Sequence, residues 1–361
     1  MSKAAELASL IGNINAGGGG VGRNLLINGA MNVAQRGTSA TGIGTAIGYN
    51  TVDRWRFADA SNPTGRFTQT QSTDAPDGFS SSHKFEVTTN DSSVDDNEMQ
   101  FTDQFIEAQN LQHLKYGTSS AVSITLSFYV KSSVASTMGL RINHEDGGGN
   151  YGASYTINSV NTWEHKSITV PGNTATAINN DNGKGLRVGF ALSAGSNKAG
   201  SNSTAWGNGS TFGAHTNTFV GTSGATWQIT GVQLEIGQNP TEFEHEPFER
   251  TFLKCSRYFQ KYYAGNDYTI FLNGGIDSAS GNAYLQGALR TQMRATPTYY
   301  ATNSYLYSQP GGTISYSGTP DNRCSPDFAS MGYNVGAGSE GHSIRFESSG
   351  GSGTVEYDAE L

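Results

Sequence analysis

The feature that most constrains the fold is a change of hydrophobic period within residues 225–265. Apolar side chains recur at close to every second position over 225–236, with Gly231 marking a bulge, and this pattern predicts a long strand half-buried in a sheet. Beyond it, apolar residues recur every three or four positions, which predicts an amphipathic helix that begins after Pro247 and ends at Gly265. One β domain therefore ends in this segment and a second one begins.

Short alternating segments fill the chain before this point. Turn residues separate them, and about eight to eleven such strands are typical of a β-sandwich or jelly roll, which we expect over residues 24–237. The predicted strands are 24–33, with Gly29 at a bulge, 65–71, 83–89, 98–107, 121–131, 138–144, 152–157, 162–170, 185–193 and 225–236.

A second, smaller set of strands follows the helix. Together they predict a small β domain over residues 266–361, joined to the first through a linker and helix over 238–265. The predicted strands are 267–273, 283–291, 297–307, 312–316, 331–335, 342–347 and 353–358. Small β domains bury little surface for their size and often gain core by forming oligomers.

The N-terminus predicts a short anchor over residues 1–23. Residues 2–11 have the pattern of a helix with Leu7, Leu10 and Ile11 in its apolar stripe, and glycines at 17–20 form a flexible tether. A helix of about ten residues is marginal alone in water, so it either frays or docks on a partner. Both interpretations remain open. The predicted fold class is therefore all-β: a jelly-roll β-sandwich, a linker helix and a small C-terminal β domain, preceded by a short N-terminal helix.

Charge and composition exclude several functions. The net charge is −8 and no basic run occurs, so the phosphate-neutralising surface of a nucleic-acid-binding protein is missing. No apolar segment approaches the ~20 residues that span a bilayer, so no membrane insertion is expected. Two cysteines do not make a disulfide framework, and Cys255 is predicted to be a buried small hydrophobe on the helix. A polar surface with few charged residues is suited to packing against other subunits in an assembly or to binding glycans.

Four aromatic residues are candidate ligand-binding residues: Tyr151, Tyr155, Trp163 and Trp206. Sugars stack their C–H faces on exposed rings, while nearby asparagines supply directional hydrogen bonds. Burial of these rings in the core is the competing interpretation. The C-terminal third is dense in tyrosine, and a recognition surface and an oligomer interface explain this equally well.

The sequence contains no convincing catalytic or metal-binding pattern. Adjacent residues of a strand point to opposite faces, so the side chains of the His-Glu-Asp segment at 144–146 are not expected to converge on a metal ion. A solvated hairpin is expected there instead. Asp95, Asp96 and Glu98 form an acidic turn that could hold calcium. Trp55, flanked by charges, is expected to fill the core. We predict no enzyme activity, no catalytic residues and no cofactor, because no Ser-His-Asp or Cys-His arrangement is present.

Several motifs occur in the order seen in one family. They are NLLINGAMNVAQRG at 24–37 with VDRW at 52–55, ITGVQLEIG at 229–237 with TEFEH at 241–245 and CSRYFQ at 255–260, MRATP at 293–297, and DAEL at 358–361. Over residues 24–361 the chain thus resembles bacteriophage tail-fibre and related virion proteins. In these proteins a jelly-roll domain like a carbohydrate-binding module is followed by a small C-terminal β domain.

The resemblance implies a function. It points to a non-enzymatic tail-fibre or spike subunit, a homotrimer in the virion, assembled in the host cytoplasm. Such a subunit attaches the particle to host surface polysaccharide, contacts other virion proteins through its N-terminus, and gains avidity from several copies. The alternative is a head fibre, decoration or connecting protein with a purely structural role. A depolymerase is a third possibility and needs two carboxylates that converge on a cleft.

The resemblance also raises the question of a structural calcium ion in the first domain. Jelly-roll carbohydrate modules often hold a structural calcium between their first and last strands. Here the last strand contributes one acid, Glu235, and this departure favours an ion pair of Glu235 with Arg36 or Arg54 over a metal site.

Overall fold

The computed structural model describes Lys3 and residues 22–207, 211–264, 270–276, 282–309, 312–314, 317–335, 342–348 and 353–361. The predicted anchor residues Leu7, Leu10 and Ile11 lie outside this described part. The chain divides into two compact units, Met1–Thr251 and Phe252–Leu361. Within the described residues, no helix has the length and apolar character to cross a bilayer.

Antiparallel strands build the first unit. In its described part the strands are β1 (Ser39–Ile43), β2 (Gly48–Tyr49), β3 (Arg56–Ala60), β4 (Arg66–Ser72), β5 (Ser82–Thr89), β6 (Met99–Glu107), β7 (Ile124–Ser132), β8 (Thr137–His144), β9 (Gly149–Thr156), β10 (Glu164–Val170), β11 (Lys184–Ala194) and β12 (Thr226–Ile236). A 3-10 helix, Ala108–Leu114, follows β6.

These strands form two sheets that pack face to face as a jelly-roll β-sandwich. The first sheet has the order β1-β4-β5-β12-β7-β10, and the second has the order β2-β3-β6-β11-β8-β9. The predicted all-β jelly roll is therefore confirmed. We call the side of each sheet that points away from the sandwich core its outer face.

Alternation along the strands creates the core between the sheets. On β7 every second side chain is fully buried, namely Ile124, Leu126, Phe128 and Val130. Trp55 is also fully buried, as expected, and its indole nitrogen donates to the Asn28 carbonyl oxygen at 3.3 Å. On β12, Gly231 has a φ of +59° and sits where the β7 register shifts, so the predicted bulge is confirmed.

The prediction of a strand over residues 24–33 is wrong. Asn28 and Met31 have φ angles of 59° and 58°, and two left-handed residues so close together turn the chain instead of extending it. Gly29 is required for a close backbone approach, because a Cβ there would lie 2.1 Å from the Val232 carbonyl oxygen.

Strands also dominate the second unit. In its described part they are β13 (Phe259–Tyr263), β14 (Ile270–Ile276), β15 (Asn282–Ala288), β16 (Thr298–Thr302), β17 (Ser304–Gln309), β18 (Gly312–Ile314), β19 (Ser317–Asn322), β20 (Phe328–Asn334), β21 (Ser343–Ser348) and β22 (Thr354–Asp358). They form sheets with the orders β13-β22-β16 and β18-β17-β21-β14-β15-β20-β19.

The predicted helix is shorter than its pattern indicates. Helix α1 spans Phe248–Ser256, and the residues predicted to continue it form β13 instead. The C-terminal strand β22 lies beside them in antiparallel register, from Phe259 opposite Asp358 to Tyr263 opposite Thr354. This partner is distant in sequence and converts an aromatic run into a strand, for which such residues are well suited. Cys255 is fully buried, as predicted.

Candidate functional site

Tyr155 belongs to the sandwich core, and its predicted role as a ligand-binding residue is wrong. Its side chain is 6% exposed, and its hydroxyl oxygen accepts a hydrogen bond from the Trp227 indole at 3.0 Å. The ring packs edge-on against Phe128, with 5.0 Å between centroids. Burial raises the pKa of the Tyr155 hydroxyl. Strand parity explains the error, because alternate residues of β9 point inward.

Trp206 lies beside Tyr151, which is a residue of the edge strand β9. Their ring centroids are 6.2 Å apart, and both rings pack partly against the core. The Trp206 indole donates to the Pro171 carbonyl oxygen at 2.6 Å, and its ring meets that of Tyr116 edge-on at 5.8 Å. Trp206 thus fastens the long loop before β12 to the sandwich and leaves only part of its ring accessible.

Trp163 lies apart from these rings, in a polar cluster at the outer face of the first sheet. Its indole nitrogen is 3.3 Å from a carboxylate oxygen of Asp74. The same carboxylate accepts hydrogen bonds from Lys131, at 3.0 and 2.8 Å, and from the Gln228 amide at 3.0 Å. We call Asp74, Lys131, Trp163 and Gln228 the Asp74 cluster.

Strand pairing positions the cluster. Lys131 of β7 and Gln228 of β12 lie directly opposite each other in the antiparallel register. Trp163 comes just before β10, and the next residue, Glu164, accepts hydrogen bonds from the Asn158 backbone and side-chain amides at 2.9 and 3.0 Å. These bonds hold the loop that carries the half-buried Trp163 ring, and the Lys131 ammonium lies over this ring, 5.8 Å from its centroid.

Asp74 is an ionised hydrogen-bond acceptor. Partial burial acts to raise its pKa, but the hydrogen bonds from Lys131, Gln228 and Trp163 outweigh burial, and the pKa is lowered below its usual value. The carboxylate therefore stays charged at neutral pH. It offers lone pairs to hydroxyl groups beside an aromatic surface, which is the chemistry of sugar recognition.

Further rings extend this surface. Tyr129 lies on the same side of β7 as Lys131, two residues away, and the His165 ring opposite it on β10 is 4.8 Å distant. Phe79 contacts Tyr129 at 5.5 Å. Phe243 and His245 each lie 5.0 Å from Phe79. The outer face of the first sheet thus carries one polar cluster and an adjoining row of aromatic rings.

The His-Glu-Asp segment at 144–146 divides as strand geometry requires. His144 points inward, is 3% exposed and stacks on Tyr116 at 6.0 Å, whereas Glu145 contacts Arg187 on the outer face. Asp146 binds the Asn179 amide in the turn at 2.6 Å. The prediction of opposite faces is confirmed, but the expected solvation is wrong for His144.

The acidic residues lie close to one another around Glu98, whose pKa is raised by burial and by the neighbouring Asp91 and Asp95 carboxylates. Asp96 accepts a hydrogen bond from the Ser196 hydroxyl at 2.6 Å, and the Glu98 carboxylate accepts one from the Asp95 backbone at 3.2 Å. In the part of the chain that is described, no group of His, Cys, Asp and Glu residues is placed to hold a metal ion.

The expected ion pair of Glu235 with Arg36 or Arg54 is wrong. The Glu235 carboxylate instead accepts hydrogen bonds from the Thr241 backbone and hydroxyl groups at 2.8 and 2.6 Å. The chain turns back after β12, so the donors come from the turn that follows the strand.

Sequence reasoning missed three members of the Asp74 cluster. Asp74, Lys131 and Gln228 come from a loop and two strands far apart in the chain, and no local pattern links them. Of the predicted residues, the cluster includes Trp163 alone. The structure brings Tyr151 and Trp206 together elsewhere.

No known protein family matches the sequence, and no curated protein matches it. Among solved structures, the enzymatically active domain of tailspike protein 4 from bacteriophage CBA120 is 13% identical with a TM-score of 0.31, covering 60% of this chain and 22% of the tailspike chain. A family 4 carbohydrate-binding module is 15% identical with a TM-score of 0.32, covering 58% of this chain and 98% of its own. The family 11 module of a Clostridium thermocellum cellulase is 13% identical with a TM-score of 0.28, covering 55% and 100%.

Proposed function

We propose that the chain is a non-enzymatic subunit of a bacteriophage tail fibre or spike, carried on a virion assembled in the host cytoplasm. In this proposal the first unit attaches the particle to host surface glycans. The ordered motifs that resemble tail-fibre proteins support the virion role. The Asp74 cluster supports glycan binding and is the observation on which the proposal depends most.

The cluster has the groups that a sugar requires. The Trp163 ring supplies a stacking surface, while Asp74 and Gln228 supply an acceptor and an amide. Because these side chains already hold one another in place, little rotamer freedom is lost on binding.

The lowered pKa of Asp74 does not suit the general acid of a glycosidase. A glycosidase acid must carry a proton near neutral pH, which requires a raised pKa. The hydrogen bonds that Asp74 accepts have the opposite effect. Asp74 therefore suits accepting hydrogen bonds from a glycan better than donating a proton to one.

Replacing Trp163 with alanine is expected to weaken binding to host surface polysaccharide about tenfold, or ~1.4 kcal/mol. The physical reason is the loss of the ring on which the sugar would stack. Binding of the purified full chain to extracted polysaccharide, measured by calorimetry, tests this expectation.

The matched control is Phe248→Ala, which removes a ring that is 54% exposed at the start of helix α1. Equal affinity of the Trp163→Ala variant and the unchanged protein would contradict the proposed site. Release of reducing ends from the polysaccharide would contradict the non-enzymatic role and support a depolymerase.

We also propose that the chain forms a homotrimer and contacts other virion proteins through its N-terminus. Exposed apolar side chains in the second unit support self-association, namely Tyr263, Ile270, Tyr300 and Phe328. Sedimentation equilibrium should give three times the 38.2 kDa chain mass. A monomer at micromolar concentration would contradict this.

The alternative is a head fibre, decoration or connecting protein. It predicts that the purified chain binds other virion proteins and does not bind host cells. A pull-down with virion proteins, set beside a cell-binding assay, distinguishes the two functions.

A further inference from the structure

A second group of charged residues lies on the outer face of the second sheet. Arg56 of β3, Asp103 of β6 and Arg141 of β8 share one row across the strands, with Gly189 of β11 between the last two. The Asp103 carboxylate is fully buried and accepts two hydrogen bonds from the Arg56 guanidinium, at 2.9 and 2.7 Å. Arg187 approaches the same carboxylate at 3.8 Å.

Three cations lie around the Phe105 ring on the same face. The charged groups of Lys184, Arg56 and Arg187 lie 4.3, 4.5 and 5.3 Å from the centroid of the Phe105 ring. Cations are attracted to the face of an aromatic ring, which helps to hold three of them close together. We call this group the Phe105 cluster.

Positive charge exceeds negative charge here. The charged groups on this part of the face are four cations, Arg56, Arg141, Lys184 and Arg187, and three carboxylates, Asp103, Glu145 and Glu107, the last directly opposite Lys184 in the strand register. The cations exceed these carboxylates by one charge, on a chain whose net charge is −8. Burial, and then repulsion from Arg187, lower the pKa of Arg141 to about 9.

Two of these cations retain hydrogen-bonding capacity. Lys184 is exposed and forms no ion pair among the described residues, since Glu107 opposite it binds the Gln109 amide at 2.6 Å. The Arg187 Nε atom lies 2.9 Å from a Glu145 oxygen, but the two atoms are not aligned as a hydrogen bond.

A buried hydrogen-bond acceptor without a donor lies beside Arg187. Asn143 is directly opposite Arg187 in the strand register and 7% exposed, and its side-chain oxygen has no hydrogen-bond partner. A buried acceptor without a donor is costly, so a ligand that brings a hydroxyl group would relieve the cost.

We propose that Lys184 and Arg187 bind an oxyanion, and that the ligand is the carboxylate of an acidic saccharide, one of whose hydroxyl groups can donate to Asn143. This inference rests on the proposed glycan-binding function and adds a charge preference to it. The site lies on the sheet opposite the Asp74 cluster, so the two can be tested separately.

The test compares the full chain with the Lys184→Gln variant. Calorimetric titrations with trigalacturonate, neutral galactotriose of the same linkage and sodium sulfate separate an acidic saccharide from a free oxyanion. We expect trigalacturonate to bind more tightly than galactotriose, more weakly at high salt, and about tenfold more weakly after Lys184→Gln, because a charge-assisted hydrogen bond is lost.

The control is Lys84→Gln, which removes a lysine from a surface ion pair on the first sheet. Binding of sulfate alone, lost in the Lys184→Gln variant, would support the anion site and overturn the saccharide assignment. Undiminished trigalacturonate binding in that variant, or no anion binding by either protein, would overturn the site. Loss of polysaccharide binding in Trp163→Ala reports on the first-sheet site alone, so failure of one proposal is distinguishable from failure of the other.

Discussion

Replacing Asp103 with asparagine is expected to lower the free energy of unfolding of the first unit by about 3–5 kcal/mol, because it removes one partner of a buried ion pair. The carboxylate is fully buried and holds Arg56 through two hydrogen bonds. Without its charge, Arg56 and Arg187 repel each other in a region that water reaches poorly.

Tryptophan fluorescence during urea unfolding measures this change in the first unit alone. All four tryptophans, at positions 55, 163, 206 and 227, belong to that unit. The control is Glu86→Gln, which breaks an exposed pair with Lys84 at 3.0 Å and should change stability by less than about 1 kcal/mol.

A double variant tests whether the buried charge causes the loss. Arg56→Met with Asp103→Leu removes both hydrogen-bonded partners, so Arg56 is no longer left without its carboxylate, and the double variant should be more stable than Asp103→Asn. Equal stability of Asp103→Asn and Glu86→Gln would contradict the prediction and show that the Arg56–Asp103 ion pair does not stabilise the second sheet.

Acidification is expected to destabilise the first unit through His83. This side chain is fully buried, and burial lowers its pKa from 6.5 to about 3. Above pH 6.5 the imidazole is neutral in both folded and unfolded chains, so its stabilising effect is complete. Between pH 6.5 and about 3 the unfolded chain binds a proton that the folded chain does not, so the free energy of unfolding decreases as the pH falls.

The size of the effect follows from the difference in pKa. Between pH 7 and pH 5 we expect His83 to contribute a loss of about 2 kcal/mol. Urea unfolding of the unchanged protein and of His83→Asn at both pH values measures it. The variant should lose correspondingly less stability on acidification, even though other histidines, such as the half-buried His215, whose pKa is lowered to about 4, still titrate.

The control is His245→Asn, which removes an exposed imidazole. An identical pH dependence in the unchanged protein and His83→Asn would show that His83 is not excluded from protonation in the fold.

Strand parity was predictable where alternation continues without interruption. Every second residue of β7 from Ile124 to Val130 is apolar and fully buried, as the pattern predicts. The same reasoning failed at 24–33, where two left-handed residues turn the chain. It also failed for Tyr155, because choosing between an exposed and a buried aromatic requires knowing which side of β9 faces the other sheet.

The sequence alone determined the β class and the approximate strands, because a side-chain period of two arises within a few residues of chain. Only the tertiary structure decided that β13 continues from helix α1 as a strand, since its pairing partner is the C-terminal β22. It also decided that Asp74 meets Lys131 and Gln228, which are 57 and 154 positions further along. Such contacts depend on sheet order and register, and these arise when distant segments bury their apolar faces together.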